Sequence, residues 1–156
     1  MSNFMTVMLI VETSAKERLI KALHQKAESC GIGVWFDNRY VDEFEIFLQT
    51  SDTLSFDIAD HYLHDNCEEL LAPWWYCDCG EELFNLHMSK IQSIVEECLK
   101  YSNEVNLFIG QTDGVSYHDF VHVALSPASF YSEMIKQYEA DQRNVPPYVH
   151  FIFKSQ

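Results

Sequence analysis

Between Arg39 and Lys90 the chain has no Lys or Arg, and that gap of 50 residues, 40 to 89, holds twelve acids: Asp42, Glu43, Glu45, Asp52, Asp57, Asp60, Asp65, Glu68, Glu69, Asp78, Glu81 and Glu82. With Asp37 and Arg39 included, residues 37–82 carry thirteen acids against one base, while the other 110 residues carry eleven against nine. Carboxylates within a Debye length of about 8 to 10 Å repel one another, so any fold must spread these groups over its surface. Compensation from outside the chain is then favourable. The total of −14 over 156 residues disfavours non-specific binding to nucleic acid or to an anionic membrane, both polyanions, and makes a basic protein the complementary partner.

A chain of this length, 47% hydrophobic and 14% aromatic, has enough apolar mass for a core without staples, which excludes disorder. The apolar run Phe4 to Val11 stops at Glu12 with no basic flank before it, unlike a signal sequence, and nothing reaches the 18 or so apolar residues of a membrane span. Five cysteines, Cys30, Cys67, Cys77, Cys79 and Cys98, are an odd number without the spacing of a disulfide framework. A reduced, cytoplasmic protein is expected.

Phe4 to Val11 reads as a strand covered on both faces. Ser14 and Glu17 have the spacing of a capping box, opening a helix with Leu19, Ile20, Leu23 and Ala27 on its inner face and Gly31 after its end. Ile32 to Asp37 and Val41 to Gln49 read as strands. Helical spacing over Asp57 to Leu71 predicts a second helix stopped by Pro73, and a third follows over about 81–101 with Phe84, Met88, Ile91, Val95 and Cys98 as its stripe. Glu104 to Thr112 and Val115 to Leu125 flank Asp113-Gly114, a hairpin signal. Ser126 and Pro127 open a helix to about Gln142 with Phe130, Met134, Ile135 and Tyr138 inward, and Tyr148 to Lys154 is the last strand. The order β-α-β-β-α-α-β-β-α-β, six strands and four helices, predicts an α+β fold with a mixed or mainly antiparallel sheet. No Pro/Gly/Ser-rich linker or repeat divides it, so residues 1–156 read as a single domain.

The acidic third is also rich in aromatics, and Trp and Tyr ringed by charge are what protein interfaces use as anchors. The partner-binding surface is therefore assigned to Asp42, Glu43, Glu45, Phe47, Asp57, Asp60, His64, Asp65, Glu68, Glu69, Trp74, Trp75 and Tyr76. Within it Asp60, His64 and Glu68 follow the i, i+4 spacing that stacks side chains in one helical row. The adjacent Trp74-Trp75 pair, after Pro73, cannot easily point one way, which leaves a ring for a partner.

Two constellations carry possible chemistry. His61, His64, Cys77 and Cys79 are ligand types that zinc prefers, but Cys-x-Cys lacks the two-residue gap of a zinc knuckle, so no metal or other cofactor is expected. His118, Asp119, His122 and His150 could support acid–base chemistry, yet on a strand His118 and His122 face one way and Asp119 the other. Phosphate loops, nucleophile elbows and His-Glu-x-x-His are absent from the sequence, so catalysis is not expected. In size, acidity and lack of a catalytic motif the chain resembles bacterial immunity proteins and antitoxins. That resemblance implies a stoichiometric inhibitor of a basic nuclease toxin. The alternatives are a nucleic-acid mimic of the anti-restriction type and a small His/Cys-based metal-dependent enzyme.

Overall fold

A computed structural model of the chain describes residues 3–36, 53–60, 81–111, 120–140 and 148–155. Along them run β1 (Asn3–Ile10), α1 (Thr13–Cys30), β2 (Ile32–Trp35), β3 (Thr53–Asp60), α2 (Glu81–Leu99), β4 (Glu104–Gln111), β5 (Val121–Leu125), α3 (Phe130–Ala140) and β6 (Val149–Lys154). The 3-10 turn Pro127–Ser129 leads into α3. The strands make one six-stranded sheet in the order β2-β3-β1-β4-β6-β5. Every neighbouring pair is antiparallel except β5 and β6, which are parallel. A mixed sheet with three helices among the described residues is the expected α+β class.

Helices α1, α2 and α3 share one apolar cluster with one face of the sheet. Ala15, Leu19, Leu23 and Ala27 recur every four residues on α1 and are buried, as the 3.6-residue repeat requires of a helix facing a core. Met88, Ile91, Ile94, Val95 and Cys98 do the same on α2, and Phe130 and Met134 on α3. They meet the alternate strand residues Met5, Val7 and Leu9, Leu54, Phe56 and Ile58, Val105, Leu107 and Ile109, and Val149, Phe151 and Phe153. Successive strand side chains point to opposite faces, so Thr6, Met8, Ser55, Asp57, Asn106, Phe108 and His150 fall on the second face, and all seven are buried too. Burial on both faces is why β1 reads as a continuous apolar run.

Gly31 ends α1 at φ 75°, its N–H donating to the Glu28 carbonyl at 3.1 Å. A left-handed residue at this position closes the orphan carbonyls of the last turn, and only glycine takes it without a Cβ penalty.

Several expectations need correction. The capping box fails: α1 begins at Thr13 with Glu12 at the cap and no side-chain bond there, because Ser14 already lies inside the first turn. The helix expected from Asp57 does not start there. Thr53, Ser55 and Asp57 alternate with Leu54, Phe56 and Ile58, and this period of two forms β3, antiparallel to both β1 and β2. The stacked row beginning at Asp60 therefore loses its first member to a strand. The expected hairpin about Asp113-Gly114 does not join neighbours in the sheet. Strand β6 lies between β4 and β5, which takes up the antiparallel edge of β4 and leaves β5 parallel to β6. Before α3, Ser126 has extended cap backbone and Pro127 the first helical position, but the turn is 3-10 and Ser126 Oγ meets Ser129 Oγ at 3.2 Å. The predicted strand 41–49, the remainder of the helix read to Leu71, and Asp113-Gly114 itself lie outside the described residues.

Candidate functional site

Of the residues assigned to partner binding, Asp42, Glu43, Glu45, Phe47, His64, Asp65, Glu68, Glu69, Trp74, Trp75 and Tyr76 lie outside the described residues, as do the metal candidates His61, His64, Cys77 and Cys79. Asp57 and Asp60 are in β3. The assignment of Asp57 is corrected: it is 6% exposed, and Thr6 Oγ1 donates to its Oδ1 at 2.7 Å. Thr6 and Asp57 are register partners on β1 and β3, so the sheet places donor and acceptor side by side although 51 residues separate them. This carboxylate belongs to the sheet's interior and not to a steering surface.

Removing the donor of a buried hydrogen bond leaves the desolvation of its acceptor uncompensated, at a cost of about 1 to 3 kcal/mol. Thr6→Val, which keeps the shape, is expected to lower the unfolding free energy by about that amount, and Thr6→Ser by much less. Urea unfolding of the two variants checks this, and equal losses in both would assign the effect to packing.

The charge of the described residues is nearly balanced, with twelve acids against eight bases, a net −4 of the total −14. Ion pairs among the described residues include the surface pairs Lys100 with Glu97 at 2.9 Å, Lys136 with Glu133 at 4.0 Å and Lys154 with Glu104 at 3.7 Å. Such pairs contribute little, so the sheet and helices stand on apolar burial. The excess negative charge belongs to the segments between them.

The second face of the sheet holds a buried polar cluster among the described residues. His122 of β5 and His150 of β6 are register partners, with Nδ1 atoms 2.8 Å apart. His150 Nε2 meets Asn106 Oδ1 at 2.8 Å, and Asn106 Nδ2 donates to the Met8 carbonyl at 3.3 Å. Since the Met8 carbonyl can only accept, the Asn106 amide must turn its oxygen to His150, and His150 Nε2–H donates. The His150 ring lies flat on Phe108, centroids 4.2 Å apart and planes 6° apart, with Phe120 edge-on to Phe108. Burial, reinforced by the charge of His122, pushes His150 down from its ordinary 6.5 to about 3, so it is neutral at neutral pH.

Of the histidine constellation read from the sequence, His122 and His150 thus come together, while His118 and Asp119 lie outside the described residues. Asn106 escaped the sequence reading because nothing local distinguishes an asparagine that turns inward on a central strand. Burial pushes the Cys98 thiol up, making it an unreactive core group. Among the described residues no three His, Cys, Asp or Glu side chains are placed to hold a metal ion, and no helix is long and apolar enough to cross a membrane. An open cavity of about 510 Å³ lies where β1 and α2 end, lined by charges of both signs, Glu12, Lys100 and Glu104, and by Tyr101 and Asn106. Set against models of protein families, curated proteins and solved structures, the chain matches none.

Proposed function

We propose that this chain is a small, acidic, cytoplasmic binding protein that neutralises a basic protein partner, as an immunity protein or antitoxin does when it covers the cationic active site of a cognate bacterial nuclease toxin. The observation that carries the reading is the segregation of charge: −12 over residues 37–82, against near balance elsewhere. Carboxylates at that density can occupy the groove where a nuclease holds phosphates, and close interfacial charge pairs couple by about 1.5 to 7 kcal/mol in measured cases. A core built from helices and strands that owe little to ion pairs supports the reading further, because such a frame tolerates a crowded acidic surface until a partner compensates it. With Asp57 withdrawn to the interior, the surface comprises Asp42, Glu43, Glu45, Phe47, Asp60, His64, Asp65, Glu68 and Glu69 together with Trp74, Trp75 and Tyr76.

The test is co-expression with the product of the adjacent upstream gene. A one-to-one complex and relief of toxicity are expected; an upstream product that is non-toxic and does not bind would sink the reading. Within such a complex, Trp74→Ala or Trp75→Ala is expected to cost at least about 2 kcal/mol of binding, the loss typical of an aromatic anchor in an interface. Titration calorimetry beside urea unfolding separates this from a bracing role. Unaltered affinity with a large stability loss in both variants would remove the aromatic anchor and leave the charges alone.

A further inference from the structure

Strand β5 ends the sheet order and is lightly held. Val121 is 54% exposed, His122 and Ala124 are exposed, and Val123 and Leu125 are only partly buried against the core. It joins β6 through parallel pairing, slightly less stable per residue than antiparallel pairing, with Val121 N–H donating to the Tyr148 carbonyl at 2.8 Å. The His122–His150 bond lies across the same two strands.

The protonation of that bond follows from its surroundings. Asn106 Oδ1 takes the Nε2 proton of His150, so neutral His150 offers a lone pair at Nδ1, and the proton between the two rings sits on His122 Nδ1. One proton fits between nitrogens 2.8 Å apart; two would set N–H against N–H.

We propose that the His122–His150 pair is a proton-operated latch, which ties β5 to the sheet while one proton lies between the two Nδ1 atoms and releases β5 when His150 takes a second. Among the described residues, the groups facing His150 include Asn106 and Phe108 of β4 and His122 of β5. Of these three, only His122 can carry a charge, and a positive charge there opposes the second proton on His150. Further along β6, Lys154 is engaged with Glu104.

The direction of the pH effect follows from linkage. His150 is held down at about 3 in the closed sheet and returns toward 6.5 once released, so the open form binds the extra proton. Closure is at full strength above about pH 6.5 and is lost as pH falls toward 3. At pH 4.5 a released imidazole is two pH units below its ordinary value, which favours opening about 100-fold.

Amide hydrogen exchange and imidazole nitrogen spectra of the whole protein, followed by NMR from pH 7 to 4, test this. At pH 7 His150 is expected to carry its proton on Nε2. Between pH 6.5 and 4.5, after correction for intrinsic exchange, β5 amides are expected to lose about 100-fold more protection than those of β1 and β4. His150→Phe, whose ring can keep the stack on Phe108, should abolish that difference. The latch is overturned if His150 carries its proton on Nδ1 at pH 7, if β5 and β1 lose protection together, or if the difference persists in His150→Phe. Should that variant fail to fold, the wild-type spectra and exchange decide alone.

Discussion

Phe151→Ala is expected to lower the unfolding free energy by about 3 to 5 kcal/mol, the range found when a large aromatic is removed from a packed core. Phe151 lies on β6, between β4 and β5, and is fully buried. Its ring meets Phe130 of α3 edge-on at 5.4 Å and Phe153 at 6.1 Å, so one side chain joins the sheet to the helix layer. Truncation removes the transfer free energy and leaves a cavity that neighbours on two different elements cannot easily collapse into. The measurement is a urea midpoint that falls with an unchanged slope, as expected of a loss of stability without a change in the surface exposed on unfolding. A loss below about 1 kcal/mol would show that β6 does not centre the core, against what its burial implies.

The second expectation concerns the acidic segments. Converting Glu43, Glu45, Asp65 and Glu68 to Lys changes the charge by two at each site, taking the chain from −14 to −6. If these carboxylates steer a basic partner, its association should slow by about 10- to 1,000-fold, with a smaller change in dissociation and a weaker dependence on salt. Net charge alone would act the same way wherever the reversals were placed. The control is therefore Glu12, Glu17, Glu28 and Glu96 to Lys, four exposed residues on or beside α1 and α2, with an identical change in total charge. Slow association in the first variant and near-normal association in the control supports a localised surface. Equal slowing in both would reduce the surface to a general field, and no slowing in either would end the charge argument.

The two tests address separate parts of the molecule. Phe151→Ala acts on the frame, and its folded fraction should bind a partner normally. The charge reversals act on residues outside the described elements and should leave the urea midpoint unchanged or raise it, since they relieve repulsion among like charges.

The sequence by itself determined the elements whose signals are local. Leu19, Leu23 and Ala27 announce α1, Gly31 its end, Met88 to Cys98 the buried stripe of α2, and the apolar runs of β1, β4 and β6 their burial. These signals depend on the geometry of one segment, a repeat of 3.6 or of 2, and need no knowledge of neighbours. The charge segregation is legible for the same reason. Tertiary structure decided which elements meet. Residues 57–60 carry apolar spacing usable by a helix, and pairing with both β1 and β2 made them a strand. Asp113-Gly114 favours a local hairpin, yet β6 occupies the place beside β4. Asp57 is an acid in an acidic stretch until Thr6 is set beside it, and the tie from His122 through His150 to Asn106 joins three strands across sequence separations of 28 and 44 residues. Such contacts depend on which strand faces find each other, a choice made by burying apolar area over the whole sheet at once, and no local pattern encodes it.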